Sequence, residues 1–262
     1  MDLQLRGRTY YVTGGTSGIG AAVVWTLLSE GASVGTCARD LDRLRNAWAG
    51  LDEEARDRLV VDRCDVRDAA GVRSTVTAFA DRMGRLDGVV ANAGAGVGGT
   101  ALGTSNEIWL DQLAVKLFGT LNLVRAARDA LGTSDAGRVV VVNGVTARVP
   151  EPSMAAVSAA RAALLSAARS LAVELAPEGV TVNCVNVGVI DTPRQQARHA
   201  QADTPLPYLD WATAEATRRG ALLGRMGEPQ EVASVVAFLL SPVASYLTGA
   251  FVDVAGGAAG GS

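Results

Sequence analysis

The sequence predicts a single α/β domain built on a seven-stranded parallel sheet, with helices on both faces of the sheet. Segments with the pattern of strands alternate with helical segments along the whole chain, and this alternation favours a parallel sheet. Residues 139–142 are four consecutive valines, which is typical of a strand covered on both faces. A length of 262 residues suits one large domain, and the sequence shows no internal repeat or interdomain linker. We therefore predict one domain, residues 1–262.

The strands are predicted from short runs of β-branched and other apolar residues. They lie at residues 9–13, 33–38, 58–62, 88–91, 138–142, 180–185 and 250–254. The first helix opens at the glycine-rich turn after residue 13 and runs to about residue 30. Gly31 should end it, because glycine readily adopts the left-handed conformation that follows a last helical turn.

The later helices follow from the apolar periodicity between strands. Two long helices, at residues 106–131 and 153–176, flank the fifth strand, and another helix covers residues 230–240. Residues 188–221 form the one long irregular stretch of the predicted domain. A loop of that length in a compact domain is usually functional, so we expect these residues to form a lid over a substrate.

Composition limits the classes of protein to be considered. With 48% hydrophobic and 19% charged residues, the chain is expected to fold, and its net charge of −3 gives no sign of a nucleic-acid or anionic-membrane partner. The polar first residues do not resemble a signal peptide, and charged side chains at positions 161, 169 and 174 argue against a membrane span at residues 154–176. We therefore expect a cytoplasmic protein that acts on a small molecule.

The cysteines and the single histidine carry little functional signal. Cys37, Cys64 and Cys184 are scattered through apolar segments, which predicts buried free thiols in a reducing compartment. His199 lies in the lid segment. These residues have no metal-ligand spacing and no Ser-His-Asp arrangement, so we expect no bound metal.

A glycine-rich turn between the first strand and the first helix predicts a nucleotide site. Glycines let the backbone approach a pyrophosphate, and the helix N-terminus offers free N–H groups and a partial positive charge. A tight turn alone also requires glycine, but the position of this turn at the first strand–helix junction favours binding. The candidate phosphate-binding residues are Gly14, Thr16, Ser17, Gly18, Ile19 and Gly20.

Several motifs, in this order, resemble those of the short-chain dehydrogenase/reductase superfamily. They are Thr-Gly-x-x-x-Gly-Ile-Gly at 13–20, Cys-Asp-Val at 64–66, Asn-Ala-Gly at 92–94, Arg-Met-Gly-Glu-Pro at 225–229, Leu-Thr-Gly at 247–249 and Val-Asp at 252–253. The resemblance covers nearly the whole chain and implies a doubly wound Rossmann-type fold.

The resemblance also implies further cofactor contacts. It places Asp65 and Val66 at the adenine, and the turn Asn92, Ala93 and Gly94 beside the dinucleotide. After the sixth strand it places Gly188, Ile190 and Thr192 near the nicotinamide, although Val187 replaces the family's proline there.

The end of the second strand indicates which dinucleotide is bound. An NAD site has a carboxylate there for the ribose 2′-hydroxyl, whereas an NADP site has an arginine for the 2′-phosphate. Here Ala38 occupies the family's aspartate position and Arg39 follows, which favours NADP(H). Asp40 is expected to cap the next helix. The alternative is that Arg39 is a solvent-exposed surface charge.

Position by position, the family's catalytic tetrad is replaced. Lys116 stands at the asparagine position, Gly144 at the serine, Val157 at the tyrosine and Arg161 at the lysine. Val157 follows Gly144 by thirteen residues, the family's usual spacing between serine and tyrosine. The chain's other tyrosines, at positions 10, 11, 208 and 246, lie outside this helix and cannot supply the Tyr-x-x-x-Lys pair.

These replacements change the chemistry that the site can perform. Valine cannot transfer a proton, and arginine stays protonated but can hold a ribose or a carboxylate. Lys116 is the one new group able to titrate, and a neighbouring cation would lower its pKa. We hypothesise that Lys116 and Arg161 form a cationic pocket for an anionic substrate. The alternative is that Lys116 extends to solvent along an amphipathic helix.

Other polar residues near the changed positions are weaker candidates. Asn143 and Thr146 could bind a carbonyl or water, Ser153 is expected to cap the helix at 153–176, and Ser158 should face away from the site. Lid closure could bring residues such as Asp191, His199 or Tyr208 over a substrate.

Residues 150–152 and 158–162 resemble a divergent subgroup near the β-ketoacyl carrier-protein reductases, in which the tetrad is imperfect. Two functions remain open: an NADP(H)-dependent oxidoreductase acting on a small carbonyl or hydroxyl substrate, or a non-redox NADP(H)-binding protein. The second could be an isomerase or cyclase, or a catalytically silent subunit. The resemblance further implies a homo-oligomer, a tetramer or a dimer, and small residues at 155–168 would allow close helix approach.

Overall fold

The computed structural model describes residues 1–258, and its centre is one parallel sheet of seven strands. The strand order is β3-β2-β1-β4-β5-β6-β7, and every neighbouring pair is parallel. The order reverses between β1 and β4, so the crevice at their carboxyl ends is the place where a doubly wound sheet binds its ligand. The predicted fold class is confirmed.

The strands fall close to their predicted positions. They are β1 Thr9–Thr13, β2 Ser33–Ala38, β3 Leu59–Arg63, β4 Gly88–Ala91, β5 Arg138–Gly144, β6 Thr181–Val187 and β7 Phe251–Val254. Two strands, β5 and β6, extend two residues further than predicted. These two strands pair over seven residues, and this pairing carries Asn143 and Gly144 to the edge where the site lies.

Alternate residues of each strand point to opposite faces, and each face is covered by helices. On one face, Val12 and Val140 pack with α1 Gly18–Ser29 and α10 Pro229–Leu240. On the other, Tyr11 and Val139 belong to a second apolar cluster. That cluster includes residues of α4 Ala69–Met83, α6 Gly119–Thr133 and α7 Ala155–Leu175. Valine-rich strands buried on both faces explain why the sheet forms.

The helix ends follow local signals in most cases. Gly31 has φ +81° just after α1, as expected of a residue that ends a helix. The short helices α2 Leu41–Ala47 and α3 Glu53–Asp57 precede β3, and Asp40 caps α2 by accepting a hydrogen bond from the backbone N–H of Arg43 at 2.9 Å. The prediction that Ser153 caps α7 was wrong. Its hydroxyl donates to Glu151, and the helix begins at Ala155.

The helix predicted at residues 106–131 is not continuous. It consists of α5 Asn106–Leu113, a π-helical turn Ala114–Phe118, and α6. A π turn inside an α-helix is uncommon and often marks a functional site. It carries Lys116, so the interruption falls at the family's asparagine position.

The prediction that residues 188–221 are irregular was wrong. They contain two helices, α8 Pro193–Ala200 and α9 Tyr208–Arg218, and an apolar cluster that includes Ala212, Ala216 and Met226 packs beneath them. Pro193 starts α8 at a favourable first-turn position, whereas Pro205 and Pro207 lie between the helices. Pro193 and Pro207 of this segment therefore mark helix boundaries, and its aromatics Tyr208 and Trp211 belong to α9.

The three cysteines are buried and free, as predicted, although Cys64 lies just after β3. By length and composition alone, the helical segment Ala155–Glu178 could cross a membrane, so its charged residues do not exclude a span as the sequence argument assumed. In the structure its main part is α7, which packs against β5, β6 and the π turn. A core helix of a sheet domain passes the same test.

Candidate active site

A cleft of about 530 Å³ opens at the carboxyl ends of the central strands. Most of the residues predicted for the site line it together: Gly14, Thr16, Ser17, Gly18, Ile19, Gly20, Arg39, Asp65, Val66, Asn92, Ala93, Gly94, Lys116, Arg161 and Thr192. They come from the ends of several strands, as expected of a doubly wound fold.

Four predicted positions do not line the cleft, namely Gly144, Val157, Gly188 and Ile190. Gly188 packs against the backbone of Ala255, where an added Cβ would lie 2.8 Å from the Cα atom. Ile190 is buried in the core and forms an isolated bridge with Gly227. The resemblance places Gly188 and Ile190 at the nicotinamide, and this placement stays a prediction beside their packing role.

The glycine-rich turn has the geometry of a phosphate cradle. Gly14 and Gly18 have φ of +79° and +58°, which favour glycine. A Cβ at Gly20 would lie 2.2 Å from the carbonyl oxygen of Gly14, so only glycine fits there. Ser17, the N-cap of α1, makes no side-chain cap bond, and the first turn holds no acidic residue. The helix N–H groups therefore remain available to a pyrophosphate.

The Asn-Ala-Gly turn after β4 ties β4 to β1, the two strands between which the strand order reverses. The hydroxyl oxygen of Thr13 accepts hydrogen bonds from the backbone N–H groups of Asn92 and Ala93, at 3.0 and 3.1 Å. The side-chain amide of Asn92 donates to the carbonyl oxygen of Thr13 at 3.0 Å. These bonds fix the floor of the cleft between β1 and β4.

The end of the cleft near β2 is rich in arginine. Arg39 is exposed there, and within residues 1–258 its side chain has no hydrogen-bond or ion-pair partner. Arg43, which the sequence analysis missed, lines the same end. Asp65 accepts from Arg67, and this lowers the pKa of its carboxyl group. The guanidinium of Arg39 therefore offers free donors to the cleft, while the carboxylate of Asp65 is engaged.

Lys116 is buried, and its ammonium group points into the cleft. Nζ donates to the carbonyl oxygen of Ala95 and to Oε1 of Gln112, both at 2.8 Å. An ammonium has three N–H donors, so one remains for a ligand. Burial, followed by the charges of Arg161 and Arg194, lowers the pKa of Lys116 to about 7. The alternative that Lys116 extends to solvent is wrong, because its side chain turns inward.

Arg161 occupies the space that a side chain at position 144 would need. A Cβ added to Gly144 would lie 2.1 Å from Nη1 of Arg161. The same Nη1 donates to the hydroxyl of Thr146 at 3.0 Å. Burial, with smaller contributions from Arg194 and Arg219, lowers the pKa of Arg161 to about 10, so the guanidinium stays protonated at neutral pH. A side chain at position 144 would therefore have to displace the Arg161 guanidinium.

Val157 lies one helical turn before Arg161 and is fully buried. It fills the tyrosine position with an apolar side chain that does not reach the cleft. The side-chain amide of Asn143 donates to the backbone oxygen of Arg161 at 3.1 Å, which ties β5 to α7 at this point. A valine side chain cannot transfer a proton.

Arg194, a residue that the sequence did not indicate, lies at the start of α8, in the segment predicted to form a lid. Its Nη2 donates to the carbonyl oxygen of Gly96 at 2.9 Å, across the cleft from α8. A Cβ at Gly96 would lie 2.7 Å from the same nitrogen, so the glycine makes room for this contact. No sequence motif marks Arg194, because its role depends on how the lid folds back.

The sequence analysis also missed Gln112, although its position four residues before Lys116 on the same helical face could have indicated a contact. The lid candidates lie elsewhere: Tyr208 donates to Asp191, and His199 bonds the carbonyl oxygen of Leu206. None of these three lines the cleft. Over the described residues, no cluster of histidine, cysteine and acidic side chains could hold a metal.

Comparison with known proteins agrees with this site. Residues 14–259 match the family model described as enoyl-(acyl carrier protein) reductase. The chain is 34% identical to a tropinone reductase homolog of Arabidopsis thaliana, over 97% of this chain and 92% of that protein. It is 30% identical to a 3-oxoacyl-acyl-carrier-protein reductase of Vibrio cholerae, over 97% and 98% of the two chains.

Solved structures of oxidoreductases are also similar to this chain. An NADPH-bound short-chain oxidoreductase of Pseudomonas aeruginosa, described as containing an atypical catalytic center, is 40% identical with a TM-score of 0.89 and coverage of 95% and 96%. L-Sorbose reductase of Gluconobacter frateurii, complexed with NADPH and L-sorbose, is 28% identical with a TM-score of 0.94 over the whole of both chains. Fold and site together define a dinucleotide-binding oxidoreductase. The chain belongs to the short-chain dehydrogenase/reductase superfamily.

Proposed function

We propose that this protein is an NADP(H)-dependent oxidoreductase that interconverts a small carbonyl compound and the corresponding alcohol without the family's Tyr-Lys pair. The observation that carries the proposal is Lys116, a buried lysine with one free N–H donor and a pKa near 7, which lines the dinucleotide cleft. A general acid works best when its pKa lies near the working pH.

The residues of the cleft fit NADP(H). The glycine turn and the N-terminus of α1 would hold the pyrophosphate, and Arg39 would hold the 2′-phosphate. Arg161 stands at the family's lysine position and would hold the nicotinamide ribose or the substrate. The bound cofactor supplies a hydride for reduction and accepts one for oxidation.

The protein side of the reaction is a single proton transfer. In reduction, Lys116 donates its free proton to the carbonyl oxygen as hydride reaches the carbon, and the neutral amine takes a proton from water afterwards. In oxidation the neutral amine removes the hydroxyl proton. The bonds to Ala95 and Gln112 fix the ammonium while this occurs. The positive charge of Lys116, Arg161 and Arg194 favours a substrate that carries negative charge.

We also propose that the protein acts as a homo-oligomer in the cytoplasm. Large apolar side chains are exposed on the π turn and α5, on α7, and at the β7 edge, among them Leu110, Phe118, Val173, Tyr246 and Phe251. Exposed apolar side chains on neighbouring elements are typical of surfaces buried between subunits. Three buried free thiols fit a reducing compartment.

The proposal is tested by mixing the protein with NADPH and following cofactor oxidation across a panel of carbonyl compounds. We expect oxidation with at least one compound, and its loss in the Lys116→Ala variant with NADPH binding retained. Binding of NADPH without oxidation across the panel would support the non-redox alternative. The absence of any dinucleotide binding would contradict both functions.

A further inference from the structure

We propose that Arg161 and Arg194 form a paired guanidinium site for the carboxylate of the substrate, so that the preferred substrates are small oxo acids and the matching hydroxy acids. This inference rests on the proposed function, because it names the substrate class of the same cleft. It uses the lid residue Arg194, which the family's tetrad positions do not include.

Arg161 presents unused donors to the cleft. A guanidinium has five N–H donors, and within the described chain the Arg161 guanidinium makes one hydrogen bond, from Nη1 to Thr146. It lines the cleft, and none of its side-chain nitrogens is both sealed from solvent and unbonded. The remaining donors therefore face the space that a ligand would fill.

Arg194 approaches the same space from the opposite wall. It belongs to α8 of the lid, and its one hydrogen bond among the described residues goes to the carbonyl oxygen of Gly96. The charge of Arg194 acts on both Lys116 and Arg161, so the three cations lie near one another. The bond to Gly96 holds the lid helix against the loop after β4 while leaving most of the guanidinium free.

The carboxylates on the surrounding elements are engaged by other groups, and Asp191, just before α8, accepts from Tyr208. Asp111 and Asp65 pair with Arg67, while Glu215 pairs with Arg198, Arg218 and Arg219. Within residues 1–258 no carboxylate lies within 4.0 Å of Lys116, Arg161 or Arg194. Grouped cations without an acidic partner are unfavourable unless a ligand neutralises them. A bound anion would supply the missing partner.

A substrate carboxylate and a cofactor phosphate both present anionic oxygens, and arginine binds both. Topology favours the carboxylate at Arg161. The pyrophosphate cradle follows β1, whereas Arg161 lies over the end of β5, two strands away. Neighbouring strands are about 4.8 Å apart, which separates the two places by roughly 10 Å. Arg194 follows Thr192, whose methyl group lies near Gly18, so the experiment must test whether Arg194 serves the cofactor.

The positions of the two arginines and Lys116 orient an oxo acid for reduction. The carboxylate binds the two arginines, and the free N–H of Lys116 meets the oxygen of the neighbouring carbonyl. Reduction of an oxo acid then forms a C–H bond with the hydride of NADPH and an O–H bond with the proton of Lys116. The products are a hydroxy acid and NADP⁺, and water restores the proton of Lys116.

The test compares 2-oxo and 3-oxo acids of four to eight carbons with their methyl esters, which keep the carbonyl and lose the charge. We expect kcat/KM to be higher for an acid than for its ester, and Arg161→Gln or Arg194→Gln to reduce that ratio by about 10–100-fold, the usual effect of one or two charged hydrogen bonds. The matched control is Arg73→Gln, an exposed arginine of α4 that does not line the cleft. It should leave the ratio unchanged.

A second measurement needs no turnover. Calorimetry with the NADP⁺-loaded protein measures binding of each oxo acid, because the oxidised cofactor has no hydride to give. Binding that is lost in both arginine variants supports the carboxylate site even if the oxidoreductase proposal fails. Equal affinity for acids and esters would overturn the carboxylate site. The proposed oxidoreductase function would still stand if the esters were turned over. A raised KM for NADPH with an unchanged acid-to-ester ratio would assign the arginines to the cofactor and also overturn it.

Discussion

The two halves of the cleft are built in different ways. Around β1 and β4, the site consists of backbone geometry: left-handed glycines, open N–H groups of α1 and the bonds of Thr13 to the Asn-Ala-Gly turn. Around β5 and α7, it consists of side chains, with Arg161 filling the place above Gly144 and Lys116 turned inward from a π turn. The backbone half carries the glycine motif that resembles the family's, while the side-chain half contains the four positions predicted to depart from it.

Under the proposed function, cofactor binding and proton transfer therefore depend on different halves of the cleft. Backbone contacts depend on a turn that few residues other than glycine can form, whereas a proton donor can enter from another element if its pKa is suitable. In the side-chain half, the Arg161 guanidinium lies where a Cβ at position 144 would be, so a change at either position acts on the other. A change in one half of the cleft is expected to leave the function of the other half intact.

The largest effect is expected in the backbone half. Gly20→Ala should abolish measurable NADPH binding, because its Cβ would lie 2.2 Å from the carbonyl oxygen of Gly14 and force the turn to move. Titration of NADPH fluorescence measures the effect, with the melting temperature recorded in parallel. The control is Gly50→Ala, where a Cβ meets nothing within 4 Å. Normal affinity in the Gly20→Ala variant would contradict a backbone cradle.

In the side-chain half, Lys116→Ala should lower turnover by about 10²–10⁴-fold, the usual contribution of a general acid. NADPH affinity should change little, since the pyrophosphate cradle lies after β1. Lys116→Arg is the matched control, because it retains the charge but cannot release a proton at neutral pH. Steady-state kinetics with the best substrate compares the variants. If Lys116→Arg were as active as the native protein, Lys116 would hold charge and not transfer protons.

Gly144→Ser, which restores the family's serine, should lower turnover by about 10–100-fold by displacing the Arg161 guanidinium from Thr146. Adding Arg161→Lys should recover part of the loss, because the lysine side chain leaves free the space beside position 144 that the serine needs. A double-mutant cycle on kcat/KM measures this coupling. Additive effects would show that positions 144 and 161 act independently.

The pH profile tests the state of Lys116. Because its pKa is about 7 and reduction needs the protonated form, kcat for reduction should fall about tenfold per pH unit above that value. Oxidation needs the neutral amine, so its rate should rise to a plateau over the same range. Arg161→Gln removes one of the neighbouring cations, with Arg194 and Asp111 left in place, and should move the inflection to higher pH. Profiles without an inflection in either direction would exclude Lys116.

The smallest effect concerns cofactor choice. Arg39→Ala should weaken NADPH binding by about tenfold or more, the cost of one charged hydrogen bond, and leave NADH binding unchanged. Competitive titration of the two cofactors measures the change. Equal weakening for both would show that Arg39 does not contact the 2′-phosphate.

Local signals explain which parts of the fold were predictable. Valine-rich strands, Gly31 and the capping carboxylate of Asp40 act within a few residues, so the strand positions and several helix ends follow from them. The helices of residues 188–221 were missed, because Pro205 and Pro207 resemble loop residues until their place between two packed helices is seen. The π turn at Lys116 was also missed, since no residue pattern predicts it.

The sequence by itself determined the sheet and the glycine turn, and it predicted that the four tetrad positions are changed, because each of these depends on residue identity and short spacing. Only the tertiary structure decided which side chains meet at those positions. Lys116 donates to the carbonyl oxygen of Ala95, and Arg161 lies beside Gly144. Arg194 of α8 donates to the carbonyl oxygen of Gly96. These contacts join residues far apart in the chain, and burial and charge, which set the chemistry of the three cations, depend on that assembly.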